Sequence, residues 1–318
     1  MNANNIKNIL VIGAKGGLSR ILIKILKRNY PYVNILGVDS RSIKPAQDER
    51  ITYQKIDYRR NAFEKLFREN QFDIVYHLGR VSQAQTDEKS LAERLDKNII
   101  GTNHILGLCL ESKVKKVIIM STYHVYGANP DNPVYLDESY PLRASINHSE
   151  LRDVVEMDQL ATNWMWKNKD LLDTIVLRPC SIIGPQINNV MSLYLKSKFA
   201  PTPIDFNPIF QFVHEFDMAN ILFKSIEVLP TGVYNVADNE TISISKAKEI
   251  MNNRSFPVPF SVIGPISNLI NKVVYPIPKY MVDYLKYSCV ISNSLLLQHF
   301  DESPFRFKPI DILEQLSK

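Results

Sequence analysis

The chain has 318 residues, 45% of them hydrophobic, enough for one large domain or a domain with an appended lobe. Its formal charge of +5 comes without a dense run of Lys or Arg, which argues against nucleic acid as a partner. Three cysteines occur, Cys109, Cys180 and Cys289, far apart and without ligand spacing, and neither a signal-peptide pattern nor a bilayer-spanning apolar run is present; a cytoplasmic protein with no disulfide framework, metal site or integral membrane segment is expected.

The first predicted element is a strand over residues 9–12, followed by the glycine-rich turn Gly13-Ala-Lys-Gly-Gly-Leu18 and a helix with Ile21, Leu22, Ile25 and Leu26 at helical spacing. This reads as the phosphate cradle of a dinucleotide site. Gly13 permits a tight turn, Gly16 lets the backbone approach a pyrophosphate, and the helix beginning near Gly17 and Leu18 aims unpaired N–H groups at the anion. A second strand, 33–38, ends at Asp39, the position of a ribose-binding acid. A short strand at 51–56 ends at Asp57, a helix covers 61–70, and a fourth strand, 73–79, carries Leu78 and Gly79. A long helix to about residue 112 should turn Leu91, Leu95, Ile99, Leu106 and Leu110 inward, and a fifth strand runs from 116 to Ser121. Strands this apolar, alternating with helices, imply a parallel sheet covered on both faces, with ligands at the carboxyl ends of its strands.

A proline-bearing loop over 127–148 leads to a helix over 149–167, with Val154, Met157, Leu160, Ala161, Trp164 and Met165 as its buried stripe and both tryptophans in the core. The sixth strand, 173–178, ends at Pro179. Beyond it prolines recur and the alternation lapses, as expected of a smaller lobe. Residues 210–213 and 232–236, with a helix over 217–228 between them, are assigned back to the main sheet. The expected division is a dinucleotide-binding domain of 1–180 with 208–238 returning to it, and a substrate lobe of 181–207 and 239–318. The apolar segment 260–274 reads as a helix capping that lobe, or as the border of a lipid-like substrate.

Taken together, these residues resemble the extended short-chain dehydrogenase/reductase family of nucleotide-sugar epimerases and dehydratases, over nearly the whole chain. Gly13, Gly16 and Ser19 match its glycine motif with Ser as third member, Asp39 its ribose acid, and Asp57 the acid beside adenine. The stretch Tyr76-His-Leu-Gly-Arg80 matches the strand lining the cofactor, and Asn98 with Gly101-Thr102 the Asn-x-x-Gly-Thr helix. Ser121-Thr122 with Tyr126-Gly127 matches the active-site strand, and Leu177-Arg-Pro179, Gly184-Pro185, Phe212-Val-His with Asp217, and Gly232-Val-Tyr-Asn235 follow in order. The resemblance implies a Rossmann-type doubly wound α/β fold with a smaller C-terminal substrate lobe, a bound NAD, and a homodimer through the helices around Leu95 and Leu160. Asp39 favours NAD over NADP because a carboxylate repels a 2′-phosphate. Arg41 keeps NADP open, since it can pair with that phosphate or stack on adenine. Arg80 near the pyrophosphate is electrostatically reasonable.

The match fails at the catalytic centre. The family transfers hydride with a Tyr-x-x-x-Lys pair and a Ser or Thr, and Thr122 fits the last role. Counting back from Glu156 puts Arg152 where the lysine is expected and His148 where the tyrosine is expected. Arginine keeps the positive charge beside the nicotinamide ribose, and histidine, with an ordinary pKa of ~6.5, can take a proton near neutrality. Otherwise Arg152 and Glu156 form an exposed pair, His148 merely starts a helix, and Tyr123 or Tyr126 supplies the proton. Arg143 and Arg178 either face an anionic substrate or are structural. The expected function is an NAD-binding oxidoreductase or epimerase acting on a small carbonyl or carbinol substrate, a nucleotide sugar among the candidates, through a non-standard site. The competing class is a non-catalytic dinucleotide-binding regulator.

Overall fold

A computed structural model describes residues 6–56, 60–79, 88–197, 201–252, 256–263 and 278–317. The first half follows β1 (Asn8–Ile12), α1 (Gly17–Asn29), β2 (Asn34–Asp39), β3 (Ile51–Lys55), α2 (Arg60–Glu69), β4 (Ile74–His77), α3 (Glu88–Leu95), α4 (Gly101–Glu111) and β5 (Lys116–Met120). Then come α5 (Ala144–Asn147), α6 (Arg152–Lys167), β6 (Asp173–Pro179), β7 (Ser181–Ile183), α7 (Val190–Lys196), β8 (Pro201–Pro203), β9 (Ile209–Phe210), β10 (Phe212–His214), α8 (Glu215–Val228) and β11 (Gly232–Val236). Seven strands form one parallel sheet in the order β11-β6-β5-β4-β1-β2-β3. The order reverses between β1 and β4, and at such a switch point the carboxyl ends of the strands open a crevice.

Both sheet faces are covered because successive strand residues point to opposite sides. Ile9, Val11, Ile74, Tyr76, Ile118 and Leu177 pack under α1 and α8, while Leu10, Ile12, Val75, Val117, Ile119 and Val176 pack under α2, α4 and α6. Among the described residues no helix is long and apolar enough to cross a membrane.

Three expectations are corrected. The helix ending near residue 112 is not continuous: a π turn, Asp96–Ile100, joins α3 to α4 and rotates the inward face by one residue. Arg94 and Asn98 are buried there, while Leu95 and Ile99 are only partly covered. Trp166 is 62% exposed and not a core residue, because α6 turns it away from the sheet. Residues 210–213 do not rejoin the main sheet. Once β6 ends at Pro179, which lacks an N–H, the chain leaves the sheet, and β10 pairs with β7 in a separate two-stranded ladder. Gly232–Val236 does join the main sheet, beside β6. Most of the apolar segment 260–274 lies outside the described residues.

Candidate functional site

The glycine-rich turn is shaped by what a side chain would strike. Gly13 has φ +86°, and a Cβ there would come within 2.6 Å of the Gly79 backbone. Only glycine relieves both constraints. The Gly13 and Ala14 N–H groups both donate to the Val38 carbonyl, at 2.8 and 3.0 Å, so the turn is fixed to the end of β2. Ser19, standing for the third glycine, donates its hydroxyl to the Gly13 carbonyl at 2.8 Å. The first backbone bond of α1 runs from the Arg20 N–H to the Gly16 carbonyl. The N–H groups of Gly17, Leu18 and Ser19 therefore precede the intrahelical ladder at the positive end of the helix dipole, and no acidic residue occupies that first turn. The cradle fits a pyrophosphate. Leu78 is anchored through its N–H to the Ile12 carbonyl at 3.0 Å, which sets Gly79 against Gly13. Two further cofactor candidates, Asp57 and Arg80, lie outside the described residues.

Asp39 ends β2 as a buried carboxylate that is already engaged. It accepts from the Lys15 N–H at 3.1 Å, the Arg41 N–H at 3.0 Å, and Arg41 Nε and Nη2 at 2.9 and 3.2 Å. Burial alone would raise its pKa, but the bonds from Arg41 and Lys15 outweigh burial and hold the carboxyl below its ordinary value. Asp39 is thus ionised at the carboxyl end of β2, with its oxygens shared between Arg41 and the Lys15 N–H.

At the carboxyl end of β5, Ser121 and Thr122 play different parts. The Ser121 hydroxyl donates to Asp158 in a buried network. Arg178 forks onto Asp158 through Nε at 3.0 Å and Nη2 at 2.6 Å, and Nη1 reaches the Tyr126 hydroxyl at 2.9 Å; that hydroxyl donates to Asn235 Oδ1 at 2.8 Å. Arg178 is therefore structural: it joins β6 to α6, β11 and the loop after β5. Tyr126 is locked in the same network, and burial pushes its phenol well above the ordinary range, so it is a poor proton donor to a ligand. Pro179 ends β6 beside it, buried. Arg143, the other arginine left open, pairs with the exposed Asp131.

Thr122 sits at the head of the turn Tyr123–Val125, where its Oγ1 receives the His124 N–H at 3.4 Å. As the acceptor in that bond, the Thr122 hydroxyl keeps its own O–H as a donor. His77, at the end of β4, pairs through Nε2 with Thr102 Oγ1 at 2.8 Å, tying the Gly101-Thr102 motif to the sheet; burial pushes its pKa down to about 4.

The two residues standing for the catalytic pair are well separated in role. Arg152 is 59% exposed and pairs with Glu156 one turn on. The side chain of α6 that meets Asn98 is its neighbour Asp153, which accepts from Asn98 Nδ2 at 2.7 Å and from Arg94 Nη2 at 3.2 Å. Helical periodicity carries this signal: 153, 157 and 161 fall on one buried stripe, whereas 152, 156 and 159 fall on the outer face. His148 is half-buried, and its Nε2 lies 2.7 Å from Asp283 Oδ2. Asp283 belongs to the helix Lys279–Tyr284, whose Tyr280 and Tyr284 rings pack on His124 at 5.3 and 4.9 Å. The N–H of Tyr280 donates to Glu150 Oε1 at 2.9 Å, so that helix is tied to the segment before α6 at two points. On the other side, α5 rests against Gly127, where a Cβ would come within 3.1 Å of the Ala144 Cα. Thr122, His124 and His148 thus belong to one packed unit. Asp153 and Asp283 are the residues that sequence reasoning did not select, and Asp283 had no local signal, being 135 positions from its partner.

Residues 9–237 match the NAD dependent epimerase/dehydratase family, and the chain belongs to it. Uronate dehydrogenase of Pseudomonas syringae is 27% identical over 240 residues, covering 74% of this chain and 76% of that protein. A crystal structure of dTDP-glucose 4,6-dehydratase from Bacillus anthracis in complex with NAD superposes with a TM-score of 0.74 at 18% identity, covering 98% of this chain and 95% of that one. UDP-glucose 4-epimerase of Thermotoga maritima, solved with UDP-glucose, gives 0.74 at 16% identity, with 98% and 97% covered. The sheet and cradle are therefore those of an NAD-dependent fold.

Proposed function

We propose that the protein is an NAD-dependent oxidoreductase or epimerase/dehydratase acting on a carbinol carbon of a sugar-like substrate, with His148 as proton acceptor in place of the family tyrosine. The observation that carries this reading is the 2.7 Å pairing of His148 Nε2 with Asp283 Oδ2. A histidine whose Nε2–H donates to a carboxylate keeps Nδ1 as a lone-pair acceptor, and the carboxylate stabilises the imidazolium that forms. Bound NAD supplies the hydride acceptor. Gly13, Gly16, Gly17 and Leu18 would hold its pyrophosphate, Asp39 its adenosine ribose, and Thr122 Oγ1 would donate to the substrate oxygen whose proton passes to His148 Nδ1. Nucleotide sugars are the substrate class to try first, because the named structural neighbours act on them; uronic acids follow, from the related dehydrogenase.

The test is single-turnover reduction of bound NAD, read at the nicotinamide absorbance, across a panel of nucleotide sugars, free sugars and uronates. Turnover that survives unchanged in His148→Phe would eliminate His148 as base.

A second reading, a dinucleotide-binding protein that regulates a partner without turnover, is favoured by one observation. At Asn98 the facing residue of α6 is the anionic Asp153, and Arg152 points outward. No reduction by any substrate, with NAD bound, would select it. We also propose a homodimer across the outer face of α6, supported by an open cleft lined by Ile99, Leu160 and Trp164, and by the exposed Ile100 and Trp166 nearby. The three cysteines, all buried free thiols, support a reducing, cytoplasmic setting.

A further inference from the structure

Segment 184–187, after β7, lies directly across the start of α1. A Cβ added to Gly17 would overlap the carbonyl oxygen of Gln186. The segment therefore packs in van der Waals contact with Gly17 in the first turn of α1, beside the phosphate cradle. Its far end is secured by Asn189, which donates to the Ile182 carbonyl at 2.7 Å and caps α7 by accepting the Ser192 N–H at 2.8 Å. The near side is held by Glu215, the first residue of α8, which is 1% exposed. Its Oε2 accepts the Gln186 N–H at 2.9 Å. Gly184 is required beneath it, since a Cβ there would overlap the Glu215 carboxylate. Burial raises the pKa of the Glu215 carboxyl above its ordinary value, opposed in part by the bond from Gln186 and by Lys196 on α7 and Arg20 on α1.

We propose that Glu215 is a positioning residue for the cofactor: it clamps segment 184–187 over the Gly16–Gly17 cradle and so sets the rate at which the dinucleotide leaves. This rests on the reading that NAD occupies the cradle. A pyrophosphate held at the α1 N-terminus would lie next to the Gln186 backbone, and its release would require that strap to lift. Lifting breaks the bond to Glu215, and losing a buried hydrogen bond changes an equilibrium by about ten-fold. The proposed contribution of the strap is steric closure, which slows exchange in both directions.

The experiment compares wild type, Glu215→Ala and Glu215→Gln. NADH release is followed by stopped-flow displacement with excess NAD, and amide hydrogen exchange at Gln186 is measured in the cofactor-free protein. Glu215→Ala should accelerate release about ten-fold and expose the Gln186 amide to exchange, with Tm within a few degrees of wild type. Glu215→Gln retains an acceptor oxygen and should restore slow release, which a merely structural role would not require. Unchanged release in a folded Glu215→Ala protein overturns the clamp while leaving the cofactor reading intact. Faster exchange at Gln186 without faster release also overturns it, because the strap would then lift without governing the cofactor. Absence of NADH binding to wild type overturns the clamp together with the cofactor reading. If Glu215→Ala does not fold, Gln186→Pro, which deletes the donor and keeps Glu215, must show the same acceleration, and the clamp falls if it does not.

Discussion

Asn98 Nδ2 donates to Asp153 Oδ2 across 2.7 Å, joining the π turn to the buried face of α6. The bond forms because the π turn Asp96–Ile100 adds one residue to the helix and swings Asn98 inward. Arg94, one turn earlier, closes the same cluster, so an anion paired with a guanidinium stands beside Asn98. Arg152 is left on the outer face with Glu156.

The stability of that cluster distinguishes the two neighbours on α6. Asp153→Ala removes the buried carboxylate that Arg94 Nη2 and Asn98 Nδ2 both bond, and should cost roughly 3–5 kcal/mol in urea unfolding. Arg152→Ala, on the outer face, should leave the unfolding midpoint unchanged. Equal effects of the two substitutions would contradict the placement.

Asp283→Asn removes the charge that stabilises a protonated His148 and offers the imidazole a donor or an acceptor indiscriminately. On a substrate found by the panel above, kcat should fall about 100-fold or more with KM for NAD unchanged. A proportionate rise in KM with unchanged kcat would show that the pair only docks the helix Lys279–Tyr284.

Gly13→Ala places a methyl group 2.6 Å from the Gly79 backbone at φ +86°. The strain costs on the order of 1–3 kcal/mol of stability, and the displaced turn should lose NADH binding by isothermal titration even where the variant stays folded. Retained affinity would show that the turn does not hold the cofactor.

His77 gives a pH signature with a definite sign. Its folded pKa, pushed down to about 4, lies below its unfolded value near 6.5, so the unfolded chain binds the extra proton first. The stabilisation is fully present above about pH 6.5 and is lost as pH falls toward 4, by about 3 kcal/mol across that window. His77→Gln should flatten this part of the profile of unfolding free energy against pH; an unchanged slope would assign it to other groups.

The alternation of apolar strands with amphipathic helices, the glycine turn at Gly13 and the acid at Asp39 were legible in the chain itself. Each is a local requirement: a period, a positive φ, or a carboxylate at a strand end. The same stripe that predicted α6 also contained the information that Asp153 faces inward, although counting back from Glu156 selected Arg152. What only the tertiary structure decided are the long-range pairings: Asp283 with His148, Glu215 with the Gln186 amide, Arg178 with Asp158, and the π turn that rotated Asn98. A hydrogen bond between residues far apart in the chain leaves no periodicity at either end. Its existence depends on how two separately predictable elements pack, and packing is decided by the whole core at once.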